Sequence, residues 1–572
     1  MKHITLLLLI SLFIAPGAGH SQGFLKAEGT KIVNGKGENV LLRGIGLGGW
    51  MLQEGYMLRI NGPGQQHKIR ARIEELVGRE KTDAFYDAWL SNHTTKADID
   101  SLKAWGFNSV RLPMHYNLYL DIYKGFALTD TLLQWCKENS MYLILDLHAA
   151  PGGQGNDLNI SDRDSSRPSL WENEEAQKQT IALWKKIAAH YKDEPWIGAY
   201  DILNEPNFGF DDPQNDKNGL KEQHNAPLKK LLQEITTAIR EADQQHMIII
   251  EGNGWGNNYN GMLPPWDKNM ALSFHKYWNF NDQQSIRYIL DYRRKYNIPV
   301  WVGETGENSN VWFTEAIRLL EKNNIGWSWW PLKKLGVSNP LEIPSNDGYQ
   351  QILNYWNGKG EKPDETAAFA ALMELAQATN ISNNILHRDV TDAMMRQPFT
   401  RQAKPFNANI ITDNFFLPAT DYDLGVNGAA YYDTDTANYR VSDPKMTGGN
   451  SGRAYRNDGV DIMADKDSAD QYYVTDIEKG EWLQYTINAK RNGKYTLLVL
   501  VAGNKGNGKF YLTVNGKPVS STIAVPAGHK GQWQTVDVKN VTLKNGHQTL
   551  RLHAEAGGFD FKAILFTRTP LP

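Results

Sequence analysis

Ile197-Gly198-Ala199-Tyr200-Asp201-Ile202-Leu203-Asn204-Glu205-Pro206 is a short, mostly apolar run that stops on a glutamate. Ile298-Pro299-Val300-Trp301-Val302-Gly303-Glu304-Thr305 repeats the pattern a hundred residues later. Each run is strand-like, and each glutamate stands where a strand gives way to a loop. Working outward from this pair, read as strands Ile197–Asn204 and Pro299–Glu304, six more candidates follow: Val40–Gly46, Ser109–Met114, Met141–His148, Met247–Gly252, Ala271–Tyr277 and Gly326–Trp330. Most gaps hold amphipathic helical patterns, among them Thr95–Trp105, Glu174–Tyr191 and Pro227–Gln244. Short apolar strands alternating with helices imply a parallel sheet covered on both faces. Eight such units in about 300 residues predict an α/β fold, a closed (β/α)8 TIM barrel. The alternative, an open doubly wound sheet, would carry a Gly-rich phosphate turn after its first strand. Gly44 to Gly49 is Gly-rich, but Trp50-Met51 follows where a phosphate needs a helix start.

Polar residues gather at the strand ends. Arg111 belongs to the second strand, His148 closes the third, and Asn204 and Glu205 the fourth. His275 and Tyr277 close the sixth, Glu304 the seventh and Trp330 the eighth. In a barrel that end carries the active site. Singly each has a structural reading: Arg111 as a cap or ion-pair partner, the histidines and Trp330 as core. Two carboxyl groups converging above one barrel are what glycosidic bond cleavage needs, one to protonate the leaving oxygen and one to attack or support the sugar carbon. One of the two must then be ionised and the other must start protonated, which a second carboxylate nearby favours. No His-x-x-x-His or Cys-pair spacing accompanies these residues, so no catalytic metal is expected.

Residues 24–395 resemble glycoside hydrolase family 5. The motifs are Val110-Arg111-Leu112-Pro113, Leu145-Asp146-Leu147-His148, Leu203-Asn204-Glu205-Pro206, Phe274-His275-Lys276-Tyr277, Gly303-Glu304 and Trp327-Ser328-Trp329-Trp330. The resemblance implies Glu205 as general acid/base and Glu304 as nucleophile. It also implies that Arg111, His148, Asn204, His275, Tyr277 and Trp330 line the subsite of the attacked sugar. Leu42-Arg43-Gly44 through Gly48-Gly49-Trp50 and Glu54, with His148 through Gln154, are similar to the branch with exo-β-1,3-glucanases, which adds Glu54 to the substrate-binding residues. Thr305-Gly306-Glu307 and the Trp327–Trp330 segment depart from that branch. The implied activity is double-displacement hydrolysis of β-1,3 or β-1,4 glucan. The alternatives are a β-mannan or xyloglucan hydrolase, a transglycosylase, and a non-catalytic polysaccharide-binding protein.

Asp364–Gln377 and Asp389–Arg396 read as helices, and 396–409 as a linker with two prolines. From Ile410 helical patterns give way to strands such as Glu481–Ile487, Lys494–Val501 and Gln548–His553, with turns at Asn492-Gly493, Asn515-Gly516 and Asn545-Gly546. This predicts an all-β sandwich over 410–572. It resembles carbohydrate-binding module family 6 at Ala429–Asp435, Tyr455–Ile462, Gly480–Leu483, Gln532–Gln534 and Gly557–Phe559. The resemblance implies a loop-end cleft that stacks a sugar between Tyr455 and Trp533. Asp560 stands where the family has Asn, and Lys562 where it has Asp. No cofactor is expected.

The chain has 572 residues, 41% hydrophobic and 22% charged, with net charge −3. That composition suits globular domains and gives no electrostatic case for nucleic acid or an anionic membrane. Cys136 is the only cysteine, so no intrachain disulfide forms. Residues 1–21 read as a secretory signal: Met1-Lys2-His3 is basic, Ile4–Ile14 apolar, and small residues follow, with cleavage expected between Ala18 and Gln22. The apolar run is too short to span a bilayer. The expected product is a secreted monomer, extracellular or periplasmic, whose partner is a polysaccharide.

Overall fold

The computed structural model describes residues 23–120, 124–437, 448–466, 471–504 and 507–569. The signal-sequence reading lies outside them. Eight parallel strands close a barrel: Arg43–Gly46, Ser109–His115, Tyr142–Ala149, Ile197–Asp201, Met247–Glu251, Met270–Lys276, Val300–Gly306 and Gly326–Trp330, with the eighth pairing the first. Nearly every position of these strands is buried, as expected where side chains meet either the barrel interior or the helical ring. The helices form where the sequence predicts them. Lys96–Trp105 starts with a Thr95/Asp98 capping box and stops at Gly106 in a left-handed conformation (φ 108°). Glu174–Tyr191 starts on the side-chain cap of Asn173.

The fourth strand ends at Asp201, earlier than predicted. Asn204 still hydrogen-bonds the third strand, Asn204 N to Leu147 O at 3.1 Å, before the chain turns at Glu205. Between the fifth and sixth strands stands only the short turn Asn253–Gly256, with Gly254 and Trp255 left-handed. The Gly-rich start of the barrel has a packing cause. A Cβ on Gly46 would lie 2.5 Å from the Trp330 ring, and one on Gly48 2.7 Å from it. The glycines clear the space the indole fills.

A second apolar core lies beside the barrel. It joins Gln66–Val77 and Arg79–His93, which follow the first strand, to Asp347–Trp356 and Glu365–Ala378, which follow the eighth. Tyr349 donates to the Leu58 carbonyl at 2.8 Å, tying this helical subdomain to the loop after the first strand.

The C-terminal region is a two-sheet β-sandwich. One sheet runs through Asn409–Ile411, Trp482–Ala489, Gly546–Ala556 and Lys509–Val514; the other through Ile462–Ala464, Tyr472–Val474, Phe559–Arg568, Gly493–Gly503 and Gln534–Leu543. Alternate residues such as Tyr485, Ile487, Leu497, Val499, Leu512 and Leu550 fill the core between them. Residues 403–409 lie against the module. Lys404 and Leu424 exchange backbone hydrogen bonds at 2.9 and 2.7 Å, and Phe406 packs on Tyr455. Among the described residues no helix is long and apolar enough to cross a membrane.

Candidate active site

A cavity of about 640 Å³ opens at the carboxyl ends of the barrel strands, lined by Glu54, His148, Glu205, His275, Tyr277, Glu304 and Trp330 among others. Arg111 and Asn204 correct the sequence expectation: both are 0% exposed and lie beneath the cavity floor rather than on it. The reason is the company Arg111 keeps. Its guanidinium meets Asp146 at 3.2 Å, Asp201 at 2.9 Å, Glu251 at 3.2 Å and Glu304 at 2.5 Å. Its planar fork also donates to Asn204 Oδ1 at 2.8 Å. Asn204 in turn donates from Nδ2 to His148 Nε2 at 3.3 Å. Both side chains position the groups above them.

Glu304 receives two donors, Arg111 Nη1 at 2.5 Å and the Tyr277 hydroxyl at 3.2 Å. Glu205 sits in the left-handed region (φ 43°), a costly place for a side chain. Its backbone N–H donates to Glu251 Oε2 at 2.8 Å, and its Oε1 pairs with His275 Nδ1 at 2.6 Å. Burial pushes the Glu205 carboxyl up to about 7; His275 opposes this, and Glu304 and Glu251 add to it. The sequence argument put the like charge first, whereas desolvation is the larger cause here.

The two histidines differ. Burial drives His148 down to about 3. It is therefore neutral, accepting at Nε2 from Asn204 and donating from Nδ1 to Asp146 at 2.7 Å. His275 is buried too, but Glu251, Glu304 and Glu205 outweigh that and raise it well above its ordinary value. Both its nitrogens face carboxylates, Glu205 at 2.6 Å and Glu251 at 3.1 Å. Glu54 is held well above the usual carboxylate range, by burial first and then by Glu304 and Glu307. The Trp330 ring stacks on His148 at 5.1 Å and its Nε1 donates to Tyr56 at 3.0 Å.

The structure adds residues that the sequence reading passed over. Glu251 ends the fifth strand, the same strand-end signal that marked the others. Asp146 and Asp201 lie in the barrel interior, where both meet Arg111. Glu307, Tyr56, Trp255 and Trp278 line the cavity from loops, with Trp278 45% exposed at its rim. No strand pattern flags a loop residue.

Ligand atoms of Glu205, His275 and Glu304 lie within 4.8 Å of one another, as do those of Asp146, His148 and Glu304. The Arg111 guanidinium already supplies a fixed positive charge against Glu304 and Asp146, which disfavours a second cation there.

The module departs from the expected two-sided sugar clamp. Tyr455 packs on Tyr472 at 4.9 Å, while Trp533 meets Tyr473 at 5.1 Å. Tyr472 and Tyr473 are successive residues of one strand and project to opposite faces, so Tyr455 and Trp533 do not form one clamp. Tyr455 is committed inward, donating to Asp421 at 2.6 Å. Asp560 is 0% exposed and accepts from Thr475 at 2.7 Å, so it offers no surface to a sugar. Tyr455 and Trp533 are both half-buried, and the Lys562 ammonium lies 5.4 Å from the Trp533 ring centroid.

Residues 71–336 match Cellulase, glycosyl hydrolase family 5, and residues 453–568 match carbohydrate binding module family 6. A beta-xylosidase of Phanerodontia chrysosporium is 29% identical over 373 residues, 58% of this chain and 75% of that protein. Endoglucanase C of Acetivibrio thermocellus is 29% identical over 235 residues, 40% of this chain and 52% of that protein. A glucan 1,3-beta-glucosidase of Candida oleophila is 28% identical over 206 residues, 32% and 46%. The chain thus spans three quarters of the first of these relatives and about half of the other two. With the carboxylate pair at the barrel mouth and both domains matched, the barrel is a glycoside hydrolase domain of family 5 and the sandwich a carbohydrate-binding module of family 6.

Proposed function

We propose that the enzyme is a retaining β-glucan hydrolase in which Glu304 is the nucleophile and Glu205 the acid/base. The observation that carries this is the closeness of the two carboxylates, whose facing oxygens lie within 4.8 Å. Retaining pairs stand about 5 Å apart, whereas inverting pairs leave room for a water at about 6.5–9.5 Å. Glu205, protonated, gives its proton to the leaving oxygen as Glu304 attacks the anomeric carbon. The glycosyl ester that forms removes the charge of Glu304. Glu205, now ionised, takes a proton from water, which attacks the same carbon and releases Glu304. Trp330 serves as a stacking floor for the sugar. The enzyme acts outside the cytoplasm, delivered by the segment 1–21.

The names of two relatives, an endoglucanase and a glucan 1,3-beta-glucosidase, favour glucose over mannose, with β-1,3 or mixed linkages preferred from the Gly48-Gly49-Trp50 and Pro151–Gln154 segments. A β-xyloside is the second reading, because the beta-xylosidase matches over the longest span of the relatives named. Two tests apply. Glu304→Ala is expected to abolish turnover with the fold intact, and azide to restore part of the activity of Glu205→Ala on an aryl glycoside whose leaving group needs no acid. Wild-type turnover in Glu304→Ala ends the assignment. Activity on mannan or xylan with none on laminarin, cellulose or mixed-linkage glucan ends the glucan reading.

A further inference from the structure

The loop that follows the seventh strand leaves Glu304 and reaches the helix Asn310–Lys322 in a few residues. Its first residue past the strand, Glu307, is left-handed (φ 50°), lines the cavity and pairs with Lys334 at 2.6 Å. Gly306 beneath it is so close to the Trp330 carbonyl that a Cβ would stand 2.6 Å away. The next three residues, Asn308, Ser309 and Asn310, are all buried and polar. Much of what satisfies them comes from the sandwich.

Asn457 of the module donates from Nδ2 to the Asn308 carbonyl at 2.7 Å and to Asn310 Oδ1 at 3.3 Å. Its carbonyl accepts from the Asn310 N–H at 2.9 Å. Ser309 donates to the Ala437 carbonyl at 2.7 Å and with the same oxygen caps the helix at the Trp312 N–H. Asn310 Nδ2 reaches Asp458 at 3.1 Å and Asp389 at 2.7 Å, and Asp389 also accepts from the Asn457 N–H at 2.8 Å. Asp458 is fixed from behind by Arg456 at 2.8 Å and Tyr422 at 3.0 Å. Buried polar groups hold to such partners because losing them leaves donors and acceptors unpaired.

We infer that the carbohydrate-binding module buttresses one side of the catalytic cleft from behind, and that Asn457 is a positioning residue that sets Glu307 through the loop 306–310. A shift of this loop is felt at Glu307, at its partner Lys334 and at the Trp330 carbonyl, which belong to one side of the cavity. It is not transmitted directly to Glu205 or to the Arg111 bond of Glu304, which are held by the barrel interior. The module therefore acts on substrate placement more than on the bond-breaking groups. This rests on the glycosidase activity of the site but not on which glutamate is nucleophile.

The test is a double-mutant cycle in the full chain, Asn457→Ala against Glu307→Gln, read as kcat and KM on an aryl glycoside and on an oligosaccharide. Asn457→Ala is expected to raise KM about five- to tenfold with kcat within about twofold. In the Glu307→Gln background the same change is expected to add little, because both act on one group. Where Asn457→Ala does not fold, Ser309→Ala, which removes one module bond from the loop side, takes its place in the cycle with a smaller rise in KM. An unchanged KM with only a lowered melting temperature overturns the inference. So does a KM effect that multiplies undiminished on Glu307→Gln. Azide rescue of Glu205→Ala is independent of both outcomes, so the two readings fail separately.

Discussion

At the residue scale, one carboxyl carries an unusual proton. Glu205 titrates near 7 in the folded chain against 4.5 ordinarily. As the general acid it must be protonated, so the basic limb of kcat/KM is expected near pH 7 and is measured by a pH profile with an aryl glycoside whose leaving group needs acid assistance. Stability follows the same group with a definite sign. Its folded value is raised, so the folded state binds the proton more tightly than the unfolded chain. The stability this contributes is complete below 4.5 and is lost as pH rises to 7, about 3 kcal/mol at about 1.4 kcal/mol per unit. Glu205→Gln is therefore expected to melt higher than wild type at pH 8 and close to it at pH 4.5. Equal differences at both values exclude the proton as the cause.

At the scale of elements, the first strand and the eighth fit each other through absent side chains. Trp330 cannot swing away: its ring lies on His148 and its Nε1 is bonded to Tyr56. Gly46→Ala places a methyl 2.5 Å from that ring. Overpacking of this kind costs about 1–3 kcal/mol, and the displaced indole is expected to lower kcat/KM as well. Calorimetry and kinetics measure the two effects. Adding Trp330→Ala makes room, so the double variant is expected to be less destabilised than the sum of the singles. The Gly-rich segment at the start of the barrel is thus a seat for a tryptophan.

At the scale of the whole molecule, parts far apart in sequence are bolted together by buried polar groups. Lys333, just past the eighth strand, pairs with Asp98 at 2.7 Å and donates to the Thr379 carbonyl at 2.9 Å, with both side chains of the pair fully buried. It joins a barrel helix to the end of the helical subdomain. Lys333→Met strands Asp98 without a cation and is expected to cost about 3–5 kcal/mol by thermal or denaturant melting. Adding Asp98→Asn removes the stranded charge while leaving an amide oxygen for Thr95, and is expected to recover part of that loss. A double variant no better than Lys333→Met alone contradicts the account.

The sequence by itself determined the barrel, the sandwich and the strand-end residues, because each is written locally. Period and length mark a strand, Gly and Asn mark a turn, and a glutamate that closes an apolar run stands out against it. Eight of eight barrel strands were legible in this way, and so was the placement of seven cavity residues. Tertiary structure alone decided the rest. Closure of the barrel makes the first and eighth strands neighbours, so helices some 280 residues apart share one core. Arg111 and Asn204 read like surface ligands, yet the interior gathers four carboxylates around the guanidinium and draws both side chains under the floor. Tyr455 and Trp533 have the residue types for a clamp, but pairing with Tyr472 and Tyr473 sends them to opposite faces. Burial, long-range register and the face a side chain takes are properties of the assembled fold, and no local pattern encodes them.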